Sequence, residues 1–533
     1  MNGIVASQHA LASEAGLEIL KKGGNAVDAA VAVGFSLAVV LPRAGNIGGG
    51  GFMLIHSPEK NETKALNYRE MAPLNASRDM YLDKDGNVDN KLIKASYQAS
   101  GVPGAVAGLV QALESYGTMD LDEVIAPAIR LAEKGFPVTY DLSDLLKDYE
   151  QRLKKWPASA EIFYKGDDYY EPGDILIQSD LAWSLKQIAK HGPKAFYGGE
   201  VGKRLVADMG KNNGLITLKD LEAYEVETVE PIWGEYRGYQ IASMPPPSSG
   251  GVHIIQMLNV LEGFPLSYLG HNTAETIHLM TETMKLAYAD RSEHLGDPNF
   301  WEVPSDWLTS DEYALEQRSG INRFLTRSSD DIKPGKPNDY ESNETTQFTV
   351  IDAKGNVVTN TYTLNFSFGS GIVAKGTGIL LNNEMDDFSA KPGVANAFGL
   401  LGGEANSVQP KKRPLSSMTP TMVFKDGKPY FATGSPGGSR IITTVLQIVL
   451  NIIDHDMNVA EASHAPRIHH QWYPDKLFIE KGINYDTQSL LRNRGHIIQQ
   501  IGSMGSTQTI MIKDGLLFGA SDPRRPDAKT VAY

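Results

Sequence analysis

The chain turns on residue 345. From about Ser328 to Glu344 it is built of Asp, Ser, Lys, Pro, Gly and Asn, a composition that cannot bury a core and should lie exposed. At Thr345 it changes abruptly to Thr346-Gln347-Phe348-Thr349-Val350-Ile351-Asp352, which alternates as a strand does. That run and Val357 to Thr363 flank Ala353-Lys354-Gly355-Asn356 and read as a hairpin. An exposed linker therefore delivers a threonine to the first position of a core strand, which suits a chain that cuts itself between Glu344 and Thr345. A threonine hydroxyl is a poor nucleophile without a base beside it. A freed α-amino group on the same residue, with an ordinary pKa of roughly 7.7 to 8.0, supplies that base. Strand propensity alone also places Thr-Thr pairs at strand starts, so the rest of the chain has to decide.

With 533 residues, 41% hydrophobic and 21% charged, the chain can bury a sizeable core as a soluble globular protein of several domains or one large layered unit. A net charge of −14 without a dense Lys/Arg cluster opposes nucleic acid and anionic membranes as partners. Zero cysteines exclude disulfides, thiolate metal sites and a cysteine nucleophile. The opening residues 1–7 show no basic segment followed by an apolar one, so no secretory signal is expected in this sequence. The longest apolar run, Ala26 to Leu41, carries Asp28 and is short for a membrane span, so it reads as a buried helix.

Ser7 is the expected N-cap of a helix through Leu20, closed by Gly23-Gly24, with a second helix from Ala26 to about Val40. Phe52 to His56 and Lys64 to Arg69 read as a hairpin, with Arg69 at its end. Residues 101–224 are mostly helical, and Ile232 to Ile241 reads as one strand. Helices are expected at Val252 to Leu261, Ala274 to Asp290 and Arg440 to Ile453. Two further hairpins, Thr421 to Phe424 with Tyr430 to Thr433 and Thr507 to Ile512 with Leu516 to Ala520, enrich the last 189 residues in strand. Hairpins in both halves beside paired apolar helices favour two antiparallel sheets between helical layers, with the Phe52 strand in a sheet shared by both halves.

Candidate chemistry is sparse. Neither Gly48 to Gly51 nor Gly434 to Arg440 has phosphate-loop or dinucleotide spacing, although the second joins a strand to a helix and its N–H groups suit an anion or a tight turn equally. No Gly-x-Ser-x-Gly elbow occurs, and His464, His469 and His470 lack metal-ligand spacing. Asn382 to Phe388 is an unusual polar cluster after an apolar strand. With Arg69 and the hydroxyls of Arg413-Pro414-Leu415-Ser416-Ser417-Met418 it could serve an amino acid head group: a fork-shaped cation, anions and hydroxyls. A solvated turn is the plainer reading of the same residues.

The residues resemble the γ-glutamyltransferases (glutathione hydrolases) of the N-terminal-nucleophile hydrolase superfamily, the bacterial members most closely. The likeness runs through residues 23–30, 45–52, 69–73, 244–251, 341–346, 382–389, 413–418 and 434–440. It implies an α+β fold, a four-layer αββα sandwich, in which self-cleavage leaves a large subunit of residues 1–344 and a small subunit of residues 345–533. It further implies that Thr345 is the nucleophile, positioned by Thr363, with Gly437 and Gly438 N–H groups as the oxyanion hole. Arg69, Ser416 and Ser417 match residues that hold the donor's α-carboxylate; Asn365, Glu384 and Asp387 match those around its α-amino group. Implied partners are glutathione and other γ-glutamyl compounds, with amino-acid or peptide acceptors. No cofactor and no metal are implied, and the implied location is periplasmic or secreted. Gln347 stands where His is common and Phe398 where Tyr is common. Alternatives within the fold are a glutaryl or cephalosporin acylase and a γ-polyglutamate hydrolase; outside it, an inactive γ-glutamyl-peptide-binding protein.

Overall fold

Alternation along two paired strands sets the layering. In the computed structural model, which describes residues 2–333, 345–394, 396 and 399–533, the strands Thr346–Asp352 and Val357–Thr363 pair antiparallel, with Thr359 opposite Thr349 and Thr361 opposite Gln347. A period of two sends Phe348, Val350, Val358 and Tyr362 into one apolar cluster with the helices Ala10–Lys21, Ala26–Val40, Ala105–Tyr116 and Leu121–Lys134. The opposite face turns to a second sheet. There Thr349 Oγ1 donates to Gln508 O at 2.8 Å, and Thr359 Oγ1 donates to Thr433 O at 3.2 Å.

The first sheet has seven strands in the order Lys529–Ala532, Gly3–Ser7, Thr346–Asp352, Val357–Thr363, Gly50–Ser57, Glu62–Tyr68 and Glu227–Val229. The second has six: Leu516–Ser521, Gln508–Lys513, Lys428–Thr433, Thr421–Lys425, Tyr239–Ser243 and Ile232–Tyr236. Its outer side packs on the helices Gly250–Glu262, Ala274–His294 and Arg440–Ile453. The result is the αββα sandwich of an α+β protein. Residues before and after 345 contribute strands to both sheets, and Gly3–Ser7 is seated between Thr346–Asp352 and Lys529–Ala532.

The run at Ala26–Val40 is a helix with every residue buried, started by a capping box between Asn25 and Asp28. Burial of its Val, Leu and Phe side chains is worth about 1.5–3 kcal/mol each, which explains an apolar stretch that no membrane requires. Among the described residues no helix is long and apolar enough to cross a membrane.

Two expectations need correction. Ser7 is not a helix N-cap: it ends the strand Gly3–Ser7, its hydroxyl pairs with Ser13, and His9 caps the helix by accepting from Leu11 N at 3.2 Å. Five small or apolar residues show no alternation when both faces are covered, so the strand left no period to read. Ile232 to Ile241 is a hairpin, Ile232–Tyr236 with Tyr239–Ser243, turning at Arg237-Gly238 with φ of 52° and 79°. Arginine seldom takes this left-handed turn conformation, but here its guanidinium is held by Glu262 O, Phe264 O and Asp454. The Glu344–Thr345 bond and Phe398 lie outside the described residues.

The Gly48 to Gly51 run is a close approach between backbones, since a Cβ on Gly49 would lie 2.0 Å from Thr363 O. Gly49→Ala should therefore destabilise the protein by about 1–3 kcal/mol or more, whereas Gly210→Ala, in a helix with nothing near the added methyl, should stabilise it by up to about 1 kcal/mol. Thermal unfolding of the two variants checks this, and similar shifts would contradict the close-approach account.

Candidate active site

Thr345 directly precedes the strand Thr346–Asp352 and is buried, with 5% of its surface exposed. Extending the hairpin register by one residue sets Thr363 opposite it, on the face that looks toward the second sheet. Thr363 Oγ1 accepts from Asn365 N at 2.8 Å, fixing the start of the loop that carries Asn365. Asn365 sits at φ 76° and donates through Nδ2 to Asn383 O at 3.0 Å. Two residues along the same strand direction, Gln347 fills the same face: its Nε2 donates to Thr359 Oγ1 at 2.9 Å and its Oε1 accepts from Thr361 at 2.5 Å.

The polar cluster at residues 382–388 is a folded part of the site rather than a solvated turn. Asn382 stitches three segments together, donating to Gly48 O and Gly101 O at 2.8 Å and accepting from Gly101 N and Glu384 N. This presents Glu384 and Asp387 from the short helical turn Glu384–Asp387 to Arg69, which follows the strand Glu62–Tyr68. Arg69 Nη1 binds Glu384, Nη2 binds Asp387, and Nε donates to Pro414 O at 3.3 Å. Glu70 lies behind, 3.5 Å from Arg69 Nη1.

Burial opposes the charge on Arg69, but Glu384, Asp387 and Glu70 outweigh it and raise its pKa. Burial pushes the carboxyls the other way: Glu70 rises to about 7, and Glu384 and Asp387 are raised despite the Arg69 guanidinium beside them. Glu384 Oε2 and Asp387 Oδ1 accept no hydrogen bond from an N–H or hydroxyl among the described residues, and the two carboxyls lie within hydrogen-bonding reach of each other. Two buried acceptors with spare lone pairs are complementary to a small cation such as an ammonium.

Opposite these acids, Ser416 and Ser417 sit on a segment clipped to Ser249, whose N and Oγ both bond Ser416 O at 2.8 Å. Gly437 and Gly438, with φ of 135° and 55°, turn the chain into the helix Arg440–Ile453, and Arg440 N bonds Gly437 O at 3.0 Å. A helix N-terminus here favours negative charge.

One cleft of about 300 Å³ brings together Thr345, Thr363, Asn365, Arg69, Glu384, Asp387, Ser416, Ser417 and Gly438. Gly437 is not among its lining residues. Arg291, Leu400, Met418 and Ile441 also line it and were missed from sequence. Arg291 belongs to the long helix Ala274–His294, where an arginine near the end looks like an ordinary charged terminus. A set of metal-ligand type among the described residues, His278, Glu282 and His496, is committed elsewhere: Lys285 Nζ is 3.2 Å from Glu282 Oε1, and the two histidines bond each other at 2.7 Å. His469 is buried against Thr443 and Gln471, and His470 bonds Asp475.

Known proteins resemble this chain over nearly all of its length. The Gamma-glutamyltranspeptidase family model matches residues 12–532. The chain is 55% identical over 533 residues to the glutathione hydrolase proenzyme of Escherichia coli K12, covering all of this chain and 92% of that protein. It is 46% identical over 547 residues to the glutathione hydrolase proenzyme of Pseudomonas sp. strain A14, covering 100% and 94%. Among solved structures it is similar to a cephalosporin acylase from Bacillus halodurans, with TM-score 0.90, 31% identity and coverage of 100% and 96%. It is also similar to the Helicobacter pylori gamma-glutamyltranspeptidase, with TM-score 0.60, 49% identity and coverage of 61% and 94%. A match across almost the whole length, at these identities and on this fold, means that the chain belongs to the γ-glutamyltranspeptidase family.

Proposed function

We propose that this protein is a γ-glutamyltransferase and glutathione hydrolase, made as a precursor that cuts itself before Thr345. The observation that carries this reading is one cleft in which a strand-leading threonine faces a paired arginine, two carboxylates with spare acceptors and two serines. The names of the relatives, glutathione hydrolase proenzymes, support both the activity and the processing. The products of the cut are a large subunit of residues 1–344 and a small subunit of residues 345–533, which stay together as a heterodimer. The location is periplasmic or secreted, on the resemblance to bacterial members.

In this mechanism the freed α-amino group of Thr345 takes the proton of its own hydroxyl, and Oγ1 attacks the γ-amide carbon of glutathione or another γ-glutamyl compound. Thr363, opposite Thr345, holds it in place. The N–H groups of Gly437 and Gly438 stabilise the tetrahedral oxyanion, a contribution worth about 2.7–4 kcal/mol per donor in such sites. The leaving amine departs with a proton and a γ-glutamyl ester remains. Water then releases glutamate, or an acceptor amine of an amino acid or peptide takes the γ-glutamyl group. Asn365, Glu384 and Asp387 surround the donor's α-ammonium, while Arg69, Ser416 and Ser417 serve its α-carboxylate.

The acylase alternative takes glutaryl amides, which lack the α-amino group. Glu384 Oε2 and Asp387 Oδ1 favour the γ-glutamyl reading, because buried acceptors without a cation to receive are costly.

Thr345→Ala should leave one inactive chain near 58.1 kDa on a denaturing gel where the wild type shows two. Two subunits in that variant would contradict the assignment. Asp387→Asn should lower kcat/KM on γ-glutamyl anilides by about 10²-fold and leave glutaryl anilides little changed; equal losses on both would argue against an ammonium site. Glu70 also gives a pH dependence. Its carboxyl rises from 4.5 to about 7 on folding, so its contribution to stability is fully present below pH 4.5 and lost as pH rises through about 7. Thermal unfolding should therefore show Glu70→Gln gaining on the wild type between about pH 5 and pH 8, and a pH-independent difference would sink the argument.

A further inference from the structure

We infer that Arg291 is a specificity-determining residue, a second guanidinium that reads the α-carboxylate of the donor together with Ser417. The inference rests on the γ-glutamyl reading above and adds a residue to it.

The argument begins with how the two arginines of the cleft are occupied. Arg69 is committed: Nη1 to Glu384, Nη2 to Asp387, Nε to Pro414 O. A carboxylate arriving at Arg69 must share that guanidinium with Glu384 and Asp387, which already occupy Nη1 and Nη2. Arg291 is placed differently. It is 5% exposed and lines the same cleft, yet no carboxylate among the described residues lies within ion-pair distance of it. Its Nε donates to Ser249 Oγ at 2.9 Å and its Nη2 to Ser417 Oγ at 3.2 Å. A guanidinium has five N–H donors, so the Nη1 pair and one Nη2 hydrogen have no acceptor among the described residues. Burial pushes its pKa down to about 10, and the charge of Asp387, which lies beyond ion-pair distance, offsets this only in part.

The serines complete the picture. Ser417 Oγ accepts from Arg291, and Ser416 Oγ accepts from Met418 N at 3.1 Å. A hydroxyl that accepts on one side has its hydrogen to give on the other. The cleft therefore offers a free guanidinium edge and two O–H donors together with the spare acceptors of Glu384 and Asp387. Such a set supplies partners for both ends of a zwitterionic head group. Arg291 acts twice: its charge attracts the carboxylate, and its hydrogen bond turns the Ser417 hydroxyl toward it.

The test compares L-glutamate with 4-aminobutanoate, which keeps the amine and lacks the α-carboxylate, on wild type, Arg291→Gln and Arg291→Lys. Calorimetry should show Arg291→Gln binding L-glutamate at least about tenfold more weakly, with 4-aminobutanoate within about twofold of wild type and Arg291→Lys intermediate for L-glutamate. The matching 4-nitroanilides should show the same split as a rise in KM, with kcat changed less. Equal losses for both ligands, or none for L-glutamate, would overturn the inference. Because the binding measurement needs no turnover, an enzyme inactive on γ-glutamyl anilides but with Arg291-dependent L-glutamate binding would refute the proposed reaction and leave the role of Arg291 standing. Arg291→Lys keeps the charge and so carries the same test should the glutamine variant not fold.

Discussion

A fully buried guanidinium held among three carboxylates is the constraint around which the cleft is arranged. Arg69, Glu70, Glu384 and Asp387 come from two segments 315 residues apart, and removing Arg69 would leave three buried acids without their cation. Breaking such a cluster typically costs about 3–5 kcal/mol, although replacing it whole with apolar side chains is often neutral or better. Its retention is therefore better explained by what it presents than by what it stabilises. It locks the turn at residues 384–387 against the end of a core strand and leaves Glu384 and Asp387, which line the cleft, each with a buried oxygen that bonds no N–H or hydroxyl among the described residues.

The interior between the two sheets is polar at this end. Thr349, Thr359, Thr361 and Gln347 bond one another and the strands opposite, where an ordinary sandwich would place aliphatic residues. Hydrogen bonds fix direction where apolar packing tolerates rotation. The layer beneath Thr345 is thus a directional support for the first residue of the strand. Gln347 belongs to it, and its amide fills both roles that position needs, donating to Thr359 and accepting from Thr361.

Much of this was legible in the sequence where period and chemistry coincide. The hairpins at Thr346–Asp352 with Val357–Thr363 and at Thr421–Lys425 with Lys428–Thr433 carry turn residues between alternating runs, and the helix Ala26–Val40 carries its own cap. The strand Gly3–Ser7 was hidden because five small or apolar residues show no alternation and its partners, residues 346–352 and 529–532, are far away in sequence. The turn at Arg237 was hidden because tertiary bonds, not residue type, hold it. The site residues were proposed through motifs of the family; by residue type alone the cluster at 382–388 read more plainly as a solvated turn. Arg291 escaped because a charge near a helix end carries no local sign of pointing inward.

The placement of Gly3–Ser7 between Thr346–Asp352 and Lys529–Ala532 reaches past catalysis. With the proposed cut before Thr345, both sheets would still run through both fragments, and separating them would mean unzipping ladders in each. While unbroken, the precursor brings its halves together as an intramolecular loop closure, whose entropy cost grows only slowly with length. After the cut the same assembly is second order in concentration. Such a cut would act as a ratchet: the cleaved molecule would persist through the slowness of its unfolding, and a denatured sample would have lost the tether that guided its first folding.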